Sequence, residues 1–185
     1  NDGAYSYLGT RGFQRPGDYN SRVLVLLDGL RLNDPVYGGS FSGTEFYLDI
    51  EAIERIEFAS GASSAVYGES AFLGVLNVIT RRGETVEGAE ISAEVASEGF
   101  LKGRIAAGGK SGAVDWFVSA SGWNSEGREE VVIPAYDSPQ APGGIGRNVD
   151  GEDWRGIRAA ARSRHWDFTA LYVNRGRDLT IPWGE

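Results

Sequence analysis

The side chains able to do chemistry are few and scattered. His165 is the only histidine and sits beside Arg164 in a turn, so a catalytic triad or an imidazole metal site would have to centre on one exposed residue. With no Cys in the chain, thiolate zinc sites, cysteine nucleophiles and disulfide frameworks are excluded together. Glu54, Arg55 and Glu57 invite an acid–base reading, but clustered charges of this kind more commonly form structural ion networks. Asp150, Glu152 and Asp153, near Asn148, offer oxygens to calcium, yet the EF-hand spacing is absent and a solvated acidic loop is the plainer reading. Gly143-Gly144-Ile145-Gly146 lacks the full dinucleotide fingerprint and opens no helix. A glycosidase would need two carboxylates converging about 5–10 Å apart, and no motif marks such a pair. The chain reads as a non-enzyme without metal or cofactor.

The elements that would have to position any site are short and glycine-punctuated. The 27 Gly among 185 residues are about twice the usual share, which argues for turns and close backbone contacts over a helix bundle. A 41% hydrophobic share can supply a core, so disorder is not the whole answer. The net charge of −8 argues against a nucleic-acid binder, which needs clustered Lys and Arg. No run approaches the ~18 apolar residues of a membrane helix, and no signal-peptide pattern opens the chain.

Up to Gly83 the pattern is mixed. Val23 to Leu27 is a buried strand closed by the turn pair Asp28-Gly29, with Leu30 to Leu32 returning. Asp49 can cap a short helix over Ile50 to Ile53. Ile56 and Phe58, alternating with Arg55 and Glu57, read as a half-buried strand. Ser63 or Ser64 starts one helical turn through Tyr67, and Val75 to Thr80 makes another strand.

Beyond Gly83 strict alternation takes over. Ile91, Ala93 and Val95 share one face of a strand, opposite Glu90, Ser92 and Glu94. Leu101, Gly103, Ile105 and Ala107 interleave with Lys102 and Arg104, which can pair across strands with Glu94 and Glu90. Val114, Trp116, Val118 and Ala120 mark a third strand. A long loop without period, carrying Pro134, Pro139 and Pro142, is expected over 124–150. A fourth strand runs from Trp154 to Arg162, and a fifth carries Trp166, Phe168, Ala170 and Tyr172 on one face. Such strands fit a transmembrane β-barrel wall or one sheet of a soluble sandwich. Alternation alone does not separate the two.

The motifs of the first part do. Thr10-Arg11-Gly12-Phe13, Val25-Leu26-Leu27-Asp28-Gly29, Ile53-Glu54-Arg55-Ile56-Glu57, Ser64-Ala65-Val66-Tyr67-Gly68 and Gly74 to Gly83 occur in an order that resembles the plug domain of TonB-dependent outer-membrane receptors. The segments that follow resemble the first strands of that family's roughly 22-stranded barrel. One departure is visible: where the family usually has Arg-Gly-Pro, this chain has Ser60-Gly61-Ala62, without the Arg that normally anchors the plug.

The resemblance implies an α+β plug domain over 1–83 with its amino-terminal part missing. Antiparallel β-strands of an incomplete transmembrane barrel then occupy 84–185, about five of them. Five strands cannot close a cylinder, since the smallest membrane barrels use eight, so the chain is expected to be an internal fragment. It implies energy-coupled uptake of a scarce nutrient, most readily a ferric siderophore or other metal complex, in the outer membrane of a Gram-negative bacterium. The implied partners are the TonB energy-coupling protein, acting through a missing amino-terminal segment, a small metal-chelate ligand and outer-membrane lipid, with no nucleic acid. Carried over by position, the ligand-contacting candidates are Arg11, Phe13, Gln14, Asn33, Tyr37, Phe46 and Tyr47. Aromatics with an Arg suit planar or anionic ligands. The alternative from another class is a soluble secreted β-sandwich binding module, an adhesin or carbohydrate binder, which requires the apolar strand faces to be buried.

Overall fold

The computed structural model describes residues 6–13, 17–134, 137, 139 and 142–178, the side chains of 147–149 excepted. Its contacts fall into two units, Asn1–Thr85 and Val86–Glu185.

The first unit is built on a four-stranded mixed sheet of order β2-β1-β4-β3. Strands β1 (Val23–Leu27), β2 (Leu30–Arg31), β3 (Ile53–Ser60) and β4 (Gly74–Thr80) pair antiparallel except for β1 beside β4, which run parallel. All five residues of β1 are buried, as a central strand covered on both faces must be. Leu24 and Leu26 pack with Ala71 and Val75 on one face. On the other, Leu27, Leu48 and Val78 gather Leu32, Phe46, Ile53 and Leu76.

The Asp28-Gly29 turn has positive φ at both residues, 49° and 85°, the type I′ geometry matched to strand twist. Asp28 does more than turn the chain: its carboxylate accepts from the amide and hydroxyl of Thr80, at the far end of β4. Asp49 caps a 3-10 turn over Ile50–Ala52, accepting from the Glu51 amide at 2.9 Å. That turn stops one residue short of the expected helix, because Ile53 already belongs to β3. The helical turn α1 (Ser64–Tyr67) forms without a side-chain cap. Strand β3 departs from expectation: Ile56 and Phe58 are exposed, not half-buried. It is the edge strand, paired to β4 alone, and alternation in the sequence does not reveal position in the sheet. A further helical turn, α2 (Gly83–Val86), lacks any strong sequence signal.

The second unit is a five-stranded antiparallel sheet of order β11-β10-β7-β6-β5. Its strands are β5 (Gly88–Val95), β6 (Leu101–Ser111), β7 (Val114–Ser125), β10 (Glu152–Ser163) and β11 (Trp166–Arg177). Neighbours in sequence are neighbours in space, and the sheet does not close on itself among the described residues. Between β7 and β10 the expected loop at 124–150 holds a ribbon, β8 (Arg128–Val132) against β9 (Ile145–Val149). The sequence conceals it because its apolar residues are adjacent, not alternating, and its two arms are separated by proline- and glycine-rich chain. The glycine run Gly143-Gly144 is a 3-10 turn leading into β9, a strand.

Candidate functional site

Two buried asparagines organise the chain around the largest aromatic grouping of the first unit. Asn20, with φ of 63°, accepts from the Leu8 amide and donates to the carbonyls of Ser6 and Ser40. Asn33, 5% exposed, accepts from the Val25 amide at 2.7 Å and donates to the carbonyls of Val23 and Gly38. Each amide replaces backbone pairing that an irregular segment cannot supply itself. Asp34 opens the next turn, its Oδ1 accepting from the Val36 and Tyr37 amides, an Asx turn. Gly39 passes so close to Tyr19 that a Cβ would stand 3.2 Å from its carbonyl oxygen.

The result is a cavity of about 830 Å³ walled by Tyr7, Tyr19, Tyr37, Phe41 and Tyr47, with Asn33 at its base. Phe41 meets Tyr47 edge to face, centroids 5.8 Å apart at 77°, a favoured aromatic geometry. The charged groups lining it are Asp34, Glu45 and Arg31. The Arg31 guanidinium donates to the Tyr67 carbonyl at 3.0 Å. Burial, and then the Asp34 carboxylate, raise the Tyr47 phenol above its ordinary 10.0.

Of the residues expected from sequence, Asn33, Tyr37 and Tyr47 come together here. Asn33 is committed to backbone, so its contribution is to hold the wall. Phe46 does not line the cavity: it packs against Leu27, Leu48 and Val78, with its ring centroid 6.1 Å from that of Tyr47. Arg11 and Phe13 flank a separate turn, with Thr10 and Phe13 bridged and φ positive at Arg11 and Gly12. Arg11 reaches Ser60 at 3.4 Å, the position where the family's usual Arg is absent. Gln14 lies outside the described residues. Sequence reasoning missed Tyr7, Tyr19, Phe41 and Asp34. The usable signal was the density of aromatics from Tyr7 to Tyr47 in a stretch otherwise rich in turn residues.

The second unit presents a different geometry. Ile91, Ile105, Ala120, Ile157 and Tyr172 stand in one register row across all five strands. This apolar face is the exposed one: Ile91 is 84% exposed, and Val95, Leu101, Trp116, Val118, Trp166 and Phe168 are exposed with it. The sheltered face carries Lys102, Arg104, Ser119 and Arg158, the last 2% exposed and stacked over the Phe117 ring at 4.9 Å. Lys102 stands opposite Glu94, while Arg104 faces Ser92 and donates diagonally to Glu90 at 3.2 Å. A sandwich sheet would bury the apolar row, so that alternative loses its structural requirement. Asp150 and Glu152 are bound to Arg177 and Arg175, which commits two of the three acidic side chains of that loop to ion pairs. Glu54 and Glu57 both hold Arg55 at 2.9 Å on the exposed edge strand, and His165 stands exposed in the β10–β11 turn. No helix among the described residues is long and apolar enough to cross a membrane, which says nothing of strands.

The family model described as TonB-dependent Receptor Plug Domain matches residues 1–75. The vitamin B12 transporter BtuB of Vibrio vulnificus is 38% identical over 88 residues, 48% of this chain and 13% of that protein. Among solved structures, the FrpB iron transporter of Neisseria meningitidis in apoprotein form superposes with a TM-score of 0.63 at 16% identity, over 91% of this chain and 26% of that one. A ferric enterobactin receptor mutant (PfeA) from Pseudomonas aeruginosa gives 0.57 at 19% identity, over 84% and 26%. The chain thus spans about a quarter of the length of these structures.

Proposed function

We propose, from the match of residues 1–75 to the TonB-dependent receptor plug domain, that the protein carrying this chain takes up a scarce nutrient across the outer membrane of a Gram-negative bacterium, with energy delivered through TonB. The proposed ligand is a metal complex, a ferric siderophore or a corrinoid. Tyr37 and Tyr47 are its candidate contacts within the plug, and Arg11 and Phe13 are further contacts on a separate turn.

The observation that carries the membrane part of this reading is the inverted polarity of the second sheet. Apolar side chains exposed on one face and charges sheltered on the other suit a lipid exterior around a polar lumen, and waste hydrophobic burial in water. Length agrees. A 12-residue strand such as β7 is about 37 Å long, and at the ~40° tilt of membrane barrels it rises about 28 Å, close to the ~25 Å apolar band.

The test is uptake by cells expressing the protein, with and without TonB, supplied with radiolabelled cyanocobalamin or a ferric siderophore as sole cobalamin or iron source. Uptake of one of them that vanishes without TonB supports the reading. Recovery of the protein in the soluble periplasmic fraction, or uptake indifferent to TonB, overturns it.

A further inference from the structure

The cavity described above has an electrostatic character that its aromatic content does not require. Among the described residues, two of the three charged lining groups are carboxylates, Asp34 and Glu45, and the third, Arg31, has its guanidinium drawn to the Tyr67 carbonyl. The five rings bring aromatic quadrupoles that attract cations, while the anion-binding capacity of the four tyrosines is limited to single neutral O–H donors without a formal positive charge. Arg11, the residue that sequence placed among the ligand contacts and that would favour an anion, is not among the cavity-lining residues and reaches Ser60 instead.

We propose that this cavity is a charge filter: it takes a neutral or cationic ring-bearing ligand, or the uncharged ring face of a larger complex, and turns away polyanionic chelates. The proposal rests on the uptake reading for its physiological meaning and names the ligand class of the same plug site. Burial is the larger cause of the raised proton affinity of Tyr47, and the Asp34 carboxylate adds to it. Asp34 is fixed by the two amides it accepts, so its charge stays at the wall. At the near-aqueous dielectric of an exposed rim, one unit of like charge about 6 Å away is worth roughly a factor of three in binding, and two carboxylates about tenfold.

The experiment titrates the detergent-purified, full-length protein calorimetrically with three probes of one ring size: 1-naphthyltrimethylammonium, 1-naphthol and 1-naphthalenesulfonate. The expected result is that the cation and the neutral probe bind and the sulfonate binds at least ~10-fold more weakly. Asp34→Asn, which keeps the acceptor oxygen of the Asx turn, should narrow the cation-to-sulfonate ratio to within ~3-fold. Glu45→Gln is the second variant should the first not fold. The proposal fails if the sulfonate matches the cation on the unaltered protein, if no probe binds, or if the folded variants leave the ratio unchanged. This binding needs no TonB, so a flat ratio with TonB-dependent uptake sinks the filter alone. A steep ratio with TonB-independent uptake sinks the transport reading alone.

Discussion

Strand β1 and strand β6 are each central in their own sheet, yet they use hydrophobic residues in opposite ways. In β1 the five apolar residues are buried, and the polar groups buried in that unit include Asn20, Asn33 and Thr80, uncharged side chains tied to backbone or to Asp28. In β6 the buried positions are Lys102, Arg104, Ala106 and Gly108, while Leu101 and Ile105 are exposed. The difference shows that burial follows the medium each face is made for. The plug sheet saves its apolar area from water, at about 25 cal/mol per Å². The second sheet leaves its apolar area exposed, as the proposed lipid exterior would require, and shelters its charges behind partners such as Glu90 for Arg104.

The sharpest way to break this contrast is truncation in the first unit. Leu24→Ala, at a residue 1% exposed, should cost about 3–4 kcal/mol by denaturant unfolding, whereas Ile91→Ala should cost a small fraction of that in detergent. Equal losses would mean that the two sheets share one kind of core. Next, Ile157→Arg, in the middle row of the exposed face, should cost about 2–3 kcal/mol in lipid vesicles. Its penalty should shrink when the same protein is unfolded from a polar, lipid-free medium, and a penalty independent of lipid would argue that the face packs on protein. Asn33→Ala, which strands the Val25 amide and the Val23 and Gly38 carbonyls, should cost about 2 kcal/mol and weaken naphthol binding by loosening the cavity wall. An unfolding midpoint unchanged from the parent would remove Asn33 from its role as the tie between β1 and the 34–39 turn.

The smallest effect concerns Tyr47. Its phenol is held protonated above the ordinary 10.0 by burial and by Asp34, so the folded state keeps that proton more tightly than the unfolded chain. The stability this contributes is complete below pH 10 and is lost as pH rises through the folded value. Absorbance titration of the parent minus Tyr47→Phe should therefore show one phenol ionising above pH 10, and the variant should lose less stability over that interval. A difference curve centred at or below 10 would place Tyr47 in open solvent.

Much of the architecture could be read beforehand because its signals are local. Asp28-Gly29 announces a type I′ turn by side-chain chemistry alone, Asp49 announces a cap, and the period of two from Glu90 to Tyr172 announces strands with one apolar face. The order of motifs from Thr10 to Gly83 carried the family resemblance. The site was less legible. Tyr37 and Tyr47 were expected near a ligand, but Phe46, adjacent to Tyr47 in the chain and in ring contact with it, packs on the core of Leu27, Leu48 and Val78, a choice between two neighbouring surfaces that only the fold makes.

What the chain determined by itself is the set of elements: where turns must fall, which residues alternate, and which chemistries are impossible for want of Cys or a second His. What only the tertiary structure decided is the company each side chain keeps. Tyr7, Tyr19 and Tyr47 lie far apart in sequence and meet because Asn20 and Asn33 tie distant backbone together. The inside and outside of the second sheet are likewise settled by register across five strands. Local propensity acts over a few residues, whereas packing, hydrogen-bond satisfaction and the polarity of the surrounding medium act between segments that only folding brings within reach.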